Sequence, residues 1–202
     1  MTWLIASNNA GKSRDLAACL AYYGVLAEPY GDHCDRLDFP RETTTSYAQN
    51  ALVKAQFGAQ QLGAPVIADD SGLEIPALPD FLGVTTARDL GVNVAGTDRN
   101  QEIIRALAGM ADAQRRATMR ATLAVAWPDG RQFVTQATVS GYLAHQQAGR
   151  YSGGFDRLFW LPRYGRTLAE LPPTWRIPLT HRGRAAKQLT EQLRTVKGSV
   201  EP

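Results

Sequence analysis

The sequence predicts an α/β protein built on a mixed β-sheet, and two observations support this class. Strand and helix patterns alternate from Thr2 to Ala68, which favours parallel strands joined by helices. Later, two β-rich runs flank Pro128–Gly130, a Pro-Asp-Gly turn signal that is typical of a hairpin. A sheet that holds both kinds of strand pairing is therefore expected.

The individual elements follow from apolar spacing and from turn residues. In the first part of the chain we predict a strand at Thr2–Ala6, a helix from Lys12 to about Tyr23, a strand at Val25–Glu28, a helix from Ser46 to about Leu62 and a strand at Val66–Ala68. In the second part we predict a helix from Asp98 to Leu107, hairpin strands at Thr118–Trp127 and Gln132–Ser140, and a last helix over about His181–Arg194. Ser46 and Gln49 form a capping-box pattern at the start of the second helix, and Gly63 is expected to end that helix.

No linker or repeat interrupts these elements, so we predict one domain over residues 1–196 and a short tail over 197–202. No apolar run approaches the roughly 20 residues of a membrane span, and no secretory signal is recognised. Two cysteines are too few for a disulfide framework, and three scattered histidines argue against a zinc site. We expect a soluble cytoplasmic protein with no membrane partner.

The formal net charge of +3 raises the question of nucleic-acid binding. The basic residues are dispersed and no nucleic-acid-binding motif is present, so a small polyanionic substrate is the better interpretation. Only four of the 22 basic residues are lysines, and two of these are Lys12 and Lys54. Lysine in so arginine-rich a chain indicates a need for a compact ammonium group at those positions.

The segment Ser7–Lys12 joins the first strand to the first helix. Free backbone N–H groups and the helix dipole favour an anion there, and Lys12 adds a positive charge. The stretch from Ala6 to Ser13 is also close to the G-x-x-x-x-G-K-[ST] loop of P-loop NTPases, with alanine at the first glycine. A polar turn with a surface lysine is the simpler alternative.

The pair Asp69-Asp70 follows a buried strand and precedes Ser71. Adjacent carboxylates on a strand point to opposite faces, so only one of the two is expected to face a given pocket. Mg²⁺ held by that carboxylate and by substrate phosphates is the natural use of such an acid. An ordinary turn is the alternative.

Other candidate positions rest on weaker grounds. Glu42 has the pattern of a loop acid and Lys54 that of a solvated helix residue. His181 and Arg182 place cationic groups at the positive end of a helix dipole, which is unfavourable unless an anion or a base edge lies there. The loop Ser152–Asp156 contains two glycines, which permit close approach of the backbone to a ligand.

Five segments occur in a fixed order: S-N-N-A-G-K-S-R-D at 7–15, Y-A-Q-N-A-L-V-K-A at 47–55, D-D-S-G-L-E-I-P-A-L at 69–78 with G-V-T-T-A-R at 83–88, G-G-F-D-R-L-F at 153–159 and T-H-R-G-R-A-A at 180–186. In this order they resemble the motifs of the inosine/xanthosine triphosphate pyrophosphatase family, whose members hydrolyse deaminated purine nucleoside triphosphates to the monophosphate and pyrophosphate. The resemblance covers nearly the whole chain. It implies an elongated mixed sheet flanked by helices, with two lobes and a nucleotide cleft between them, and a homodimer.

The resemblance also implies a role for each matching residue. The phosphate-binding loop corresponds to Ser7, Asn8, Asn9, Ala10, Gly11 and Lys12, the catalytic Mg²⁺-associated carboxylate to Asp70 with Ser71 beside the substrate, the second metal-site acid to Glu42, the catalytic lysine to Lys54, and base recognition to Gly153, Gly154, Phe155, Asp156, His181 and Arg182, with Arg176 where the family keeps a substrate-binding lysine. The cofactor implied is Mg²⁺, and the partner is a nucleoside triphosphate.

The chain departs from the family pattern at several positions. Gln49 replaces a glutamate, Gly153 a base-stacking phenylalanine, Arg157 a proline and Arg176 a lysine. Since the last three lie on the base side, we predict a working pyrophosphatase with a shifted or relaxed base preference. The aromatic residues that could replace the missing phenylalanine are Tyr151, Phe155 and Trp160. A non-catalytic nucleotide-binding relative and a P-loop ATPase or kinase are the alternative functions.

Overall fold

The structure, a computed structural model, describes residues 2–42, 46–85 and 96–198 and contains a seven-stranded mixed sheet flanked by helices. The strands are β1 (Trp3–Ile5), β2 (Ala27–Pro29), β3 (Val66–Glu74), β4 (Arg116–Ala126), β5 (Gln132–Leu143), β6 (Phe159–Leu161) and β7 (Arg166–Thr167). The helices are α1 (Ala10–Tyr22), α2 (Tyr47–Leu62), α3 (Gly96–Ala106), α4 (Pro173–Arg176) and α5 (His181–Gly198). The strand order is β2-β1-β3-β4-β5-β6-β7, in which β1 is parallel to β2 and β3 whereas β6 is antiparallel to β5 and β7. The predicted α/β class with a mixed sheet is confirmed.

Most element boundaries differ from the prediction by one to three residues, and three of the differences concern predicted features of the chain. Strand β3 continues from Val66 to Glu74, so the two acids predicted to follow the strand lie within it. Helix α3 begins at Gly96, before the predicted Asp98 cap. Helix α5 continues to Gly198, into the predicted tail, because no helix-breaking residue precedes that glycine.

The chain divides into two compact units, which are described separately. Unit 1 takes in residues 1–71, 121–137 and 181–202, and unit 2 takes in residues 72–120 and 138–180. Strands β3, β4 and β5 contribute residues to both units. The single domain over 1–196 stays a prediction.

In unit 1, a face of small residues brings α2 close to the sheet. Ala51, Ala55 and Ala59 are fully buried in a cluster with residues of β3 and β4. A Cβ atom added at Gly58 would lie 3.1 Å from the Ala6 Cβ and 3.2 Å from the Val66 Cγ1. This close approach sets polar residues of α2 directly against β3. Ser46 begins the helix as predicted, since its Oγ accepts a hydrogen bond from the Gln49 N–H at 3.2 Å, and Gly63 ends it with φ of +58°.

In unit 2, larger side chains fill the core, and a buried arginine joins two elements. Arg115 donates hydrogen bonds to the carbonyls of Leu107, just after α3, and of Leu143 and Ala144 at the end of β5, at 3.0, 2.7 and 2.9 Å. The three carbonyls satisfy the buried guanidinium. None of the described helices is both long enough and apolar enough to span a membrane.

Candidate active site

The candidate site of unit 1 begins at the loop between β1 and α1. Asn9 is the N-cap of α1, since its Oδ1 accepts a hydrogen bond from the Lys12 N–H at 3.0 Å. The side chain of Asn8 connects this loop to residues 30–37. Its Nδ2 donates to the Leu37 carbonyl at 2.9 Å, and its Oδ1 accepts a hydrogen bond from the Tyr30 hydroxyl. Residues 8–11 are exposed, so the first turn of α1 is accessible to an anion.

Asp70 is a buried carboxylate on β3, with only 4% of its surface exposed. Its Oδ2 accepts a hydrogen bond from the Asn50 Nδ2 at 2.9 Å. Burial raises the pKa of Asp70 to about 6, against the opposing influence of Lys54 and of the Asn50 hydrogen bond. A carboxylate with this pKa is ionised at neutral pH and can still accept a proton there.

Lys54 is buried on α2 and joins a second acid to the site. Its Nζ donates to the Glu42 Oε1 at 2.6 Å and to the Asp69 backbone carbonyl at 2.8 Å. The alternative of a solvated helix residue is therefore excluded. Glu42 keeps 39% of its side chain exposed, and its charge acts to raise the pKa of Asp70.

Asp70 and Glu42 supply the hard oxygen ligands that Mg²⁺ prefers. Among the described residues, no group of three or more His, Cys, Asp or Glu side chains could hold a metal ion. Mg²⁺ usually binds through one or two carboxylates together with substrate phosphates, so this pair of acids fits the ion.

Asp69 points to a different set of partners from Asp70, as expected for neighbouring residues on a strand. Its Oδ2 accepts hydrogen bonds from the Arg182 Nε and from the Ser71 Oγ, both at 3.1 Å. Arg182 also donates to the Ser71 Oγ at 2.5 Å and to the Asp15 Oδ2 at 3.3 Å. Burial acts to raise the pKa of Asp69, but Arg182 and Lys12 outweigh it and lower the pKa to about 2. The sequence pattern at His181-Arg182 predicted an anion at the start of α5. The carboxylates of Asp69 and Asp15 supply part of that negative charge.

His181 lies at the start of α5 and is 6% exposed. Burial and the Arg182 charge lower the pKa of His181 to about 3, so its imidazole is neutral at physiological pH. Its buried Nδ1 has no hydrogen-bond partner among the described residues, and the same is true of the Asp69 Oδ1. Such buried polar atoms are suited to pairing with a ligand.

In unit 2, Asp156 anchors the predicted base-recognition loop. Its Oδ2 accepts hydrogen bonds from the Ser152 Oγ and from the Arg176 Nη1, both at 2.8 Å, and both charged residues are buried. The positive charge of Arg176 is therefore balanced within the protein. A role of either residue in substrate binding stays a prediction.

The rest of this loop leaves room beside its backbone. Phe155 is partly buried and packs against the hydrophobic core. Gly154 has φ of +58° and its carbonyl accepts a hydrogen bond from the Asn100 Nδ2 at 2.9 Å. Gly153 is exposed in an extended conformation that any residue adopts, and a Cβ atom there would meet nothing within 4 Å. Tyr151 is 45% exposed, with the Arg150 guanidinium 5.5 Å from its ring centre.

Contacts and charge interactions within unit 1 link seven of the predicted site residues: Lys12, Glu42, Lys54, Asp70, Ser71, His181 and Arg182. The segment 86–88 of the G-V-T-T-A-R motif lies outside the described residues. Sequence reasoning missed the contributions of Asp15, Asn50 and Asp69. For Asn50 a signal was present, since it lies one helical turn before Lys54 and so on the same face of α2.

Comparison with known proteins shows which family the chain belongs to. A sequence model of the Ham1 family matches residues 3–192. The chain is 39% identical to a dITP/XTP pyrophosphatase of Geobacillus kaustophilus, covering 96% of this chain and 95% of that protein. It is 38% identical to a dihydroneopterin triphosphate diphosphatase of Limosilactobacillus reuteri, covering 95% and 97%. Its fold is similar to that of the Staphylococcus aureus Ham1 protein, with a TM-score of 0.78 at 29% identity over 96% of this chain and 99% of that one. The chain belongs to the Ham1 family.

Proposed function

We propose that the chain is a nucleoside triphosphate pyrophosphatase, which hydrolyses the non-standard purine nucleotides ITP, dITP and XTP to the monophosphate and pyrophosphate. The observation that carries the proposal is the buried Asp70, whose pKa of about 6 suits proton transfer, grouped with Glu42 and Lys54. The similarity to a dITP/XTP pyrophosphatase supports the class of substrate.

The triphosphate binds, in this proposal, at the first turn of α1, where Lys12 and the exposed backbone of residues 8–11 attract an anion. Asp70 and Glu42 would hold Mg²⁺, which when bound supplies positive charge to the phosphate oxygens. Ser71 lies beside the substrate. The base is recognised by Gly153, Gly154, Phe155, Asp156, Arg176, His181 and Arg182.

Asp70 acts as the general base of the proposed reaction. Its carboxylate accepts a proton from water, and the water oxygen forms a bond to the α-phosphorus. The bond between the α-phosphorus and the oxygen that bridges to the β-phosphorus breaks, and pyrophosphate leaves. Lys12 and Lys54 stabilise the negative charge that develops on the leaving group.

The family resemblance further supports a homodimer, and we propose that the enzyme works in the cytoplasm on free nucleotides rather than on nucleic acid. The dispersed charge of the chain supports the last point.

A product assay tests the proposal. The purified protein with Mg²⁺ is given ITP, XTP, their deoxy forms and the four common triphosphates, and pyrophosphate and orthophosphate are measured separately. Pyrophosphate released from ITP, dITP or XTP is the expected result. Orthophosphate release would indicate a different NTPase, and nucleotide binding without turnover would indicate a non-catalytic relative.

A second candidate substrate is dihydroneopterin triphosphate, and the observation that favours it is the open space at Gly153. A pterin consists of two fused six-membered rings, which need more room than a purine. The similarity to a dihydroneopterin triphosphate diphosphatase supports this candidate. Adding dihydroneopterin triphosphate to the same panel decides between the two: the preferred substrate has the higher kcat/KM for pyrophosphate release.

A further inference from the structure

Asn50 is a buried polar residue in the first turn of α2, with only 3% of its surface exposed. Its Nδ2 donates a hydrogen bond to the Asp70 Oδ2 at 2.9 Å. An ionised carboxylate can only accept hydrogen bonds, so the amide has to present its NH₂ group to Asp70. Among the described residues, Asn50 is the one that donates to this carboxylate. The orientation of the Asp70 carboxylate therefore depends on Asn50.

The backbone that carries Asn50 is held in place. Its N–H donates to the Ser46 carbonyl at 3.1 Å, which is a hydrogen bond of the first turn of α2. Small residues along the same helix pack closely against the sheet. One helical turn after Asn50, Lys54 donates to the Asp69 carbonyl of β3 at 2.8 Å. Because these contacts join α2 to β3, the amide of Asn50 reaches Asp70 from a fixed origin.

The two neighbouring acids of β3 are held by donors of different charge. Asp69 forms an ion pair with Arg182 at 3.1 Å. Asp70 is held by the neutral amide of Asn50 instead. An uncharged donor makes a weaker bond than a cation does, so it orients the carboxylate without neutralising its charge. This hydrogen bond uses Oδ2, and no described residue donates to the Asp70 Oδ1.

We propose that Asn50 is a positioning residue of the hydrolysis: it anchors the Asp70 Oδ2, and Oδ1 is then the oxygen that takes the proton from the attacking water. The water oxygen bonds to the α-phosphorus as this proton moves, and pyrophosphate leaves. A general base has to lie within hydrogen-bond distance of the proton that it accepts. Without its anchor the carboxylate can rotate about the Cβ–Cγ bond and spends less time in the productive orientation. The inference rests on the proposed function, in which Asp70 is the base.

Asn50→Leu is the main test, because leucine has the same branched skeleton as asparagine but no donor. Steady-state kinetics are measured on the best substrate of the wild-type protein. We expect kcat to fall about 10–100-fold, the usual loss when a residue that orients a metal-binding side chain is replaced, with KM unchanged. Asn50→Gln keeps an amide donor on a longer side chain and is expected to recover part of kcat. A kcat of Asn50→Leu equal to that of the wild type would overturn the proposal.

Ser46→Ala is the matched control, since it weakens the same turn of α2 but leaves the Asn50 amide in place. It removes the Oγ that accepts from the Gln49 N–H at 3.2 Å, so Tm should fall while kcat stays at the wild-type value. Rates are measured well below the lowest Tm and divided by the concentration of nucleotide-binding sites, which calorimetry counts. An equal loss of kcat in Ser46→Ala and Asn50→Leu would mark the effect as structural and overturn the proposal. If Asn50→Leu does not fold, Asn50→Ala replaces it under the same criterion.

Binding of Mn²⁺ provides a readout that does not need turnover. Asp70 is one of the two acids proposed to hold the metal, so electron paramagnetic resonance of Mn²⁺ with the nucleotide-free proteins reports on its carboxylate. Asn50→Leu is expected to bind Mn²⁺ about tenfold more weakly than the wild type and Ser46→Ala. Equal affinities, or no binding to any of the three proteins, would overturn the inference.

The proposed function can fail separately from this inference. If the wild-type protein releases no pyrophosphate from any substrate of the panel, the proposed function fails, and the Mn²⁺ measurement alone then decides whether Asn50 orients Asp70. Weaker binding of Mn²⁺ by Asn50→Leu would still support that role.

Discussion

Asp70→Asn should make the metal-free protein more stable at neutral pH, although it removes the proposed catalytic base. In the folded wild type, burial raises the pKa of Asp70 from 3.8 to about 6. The folded protein therefore retains a proton between pH 4 and 6 that the unfolded chain gives up. Stability consequently falls as the pH rises through this range, by at most about 1.4 kcal/mol per pH unit. Above pH 6 the full cost of the buried charge is present.

The magnitude follows from the size of the pKa shift. A difference of roughly two units corresponds to about 3 kcal/mol at pH 8, and only about 0.5 kcal/mol of this cost remains at pH 4. An asparagine side chain carries no charge, and its carbonyl can still accept the hydrogen bond from Asn50. The variant is therefore expected to be more stable than the wild type by about 2–3 kcal/mol at pH 8 and by only about 0.5 kcal/mol at pH 4.

Urea unfolding of both proteins in the presence of a chelator, at several pH values from 4 to 8, measures this difference. Taking the difference between the two proteins cancels the contributions of other titrating groups. An equal or lower stability of the variant at pH 8, or a difference that does not change with pH, would refute the reasoning. In the product assay the same variant should lose turnover, and near-normal activity would remove Asp70 from the catalytic role.

Three other positions provide independent tests. Burial holds the pKa of His181 near 3, below its usual 6.5, so the wild type should lose up to about 1.4 kcal/mol of stability per pH unit as the pH falls from 6.5. The His181→Gln variant should lose less stability over the same pH range, which urea midpoints at pH 7 and pH 5 measure. Equal losses in the two proteins would contradict this prediction. Asp69→Asn deprives the largely buried Arg182 of one of the two carboxylates that it contacts among the described residues and should cost about 3 kcal/mol by urea unfolding at pH 7, whereas an unchanged midpoint would show that the pair does not stabilise the fold. Gly58→Val should lower stability by about 1–3 kcal/mol in thermal unfolding, since its Cβ would lie 3.1 Å from the Ala6 Cβ, and an unaltered Tm would mean that α2 can move away from the sheet.

The sequence predicted the elements that are set by local chemistry. The cap at Ser46, the stop at Gly63 and the turn at Pro128–Gly130 depend on residues close together in the chain, and the structure has all three. Gly130, for example, has φ of +89°, which glycine adopts easily.

The extent of β3 could not be predicted from local chemistry. Asp69, Asp70 and Gly72 are poor strand formers, so the Asp-Asp-Ser-Gly run has the composition of a turn. In the folded protein these acids are held by Asn50 and by Arg182, which lies 113 residues from Asp69 in the chain. Such distant partners override local preference, and single-sequence spacing does not reveal them.

In the candidate site, too, the contacts between residues distant in the chain could not be predicted from the sequence. The spacing alone allowed Lys54 to be a solvated residue, and only packing of α2 against β3 brings it to Glu42 and the Asp69 carbonyl. Arg176 was predicted to stand where the family keeps a substrate-binding lysine; in the structure it is buried and paired with Asp156 at 2.8 Å, a contact that its spacing in the sequence does not reveal. The Nε atom of the neighbouring Arg157, a residue that the sequence marked only as a departure from the family pattern, has no hydrogen-bond partner among the described residues.

Hydrolysis in water enriched in ¹⁸O tests the central claim most directly, because it reports which phosphorus atom the water attacks. With ITP, or with the best substrate of the panel, the account predicts that the label appears in the nucleoside monophosphate and that the pyrophosphate is unlabelled. Asp70→Asn should form neither product at a measurable rate. Label in pyrophosphate or in orthophosphate would contradict attack at the α-phosphorus and, with it, the mechanism assigned to Asp70.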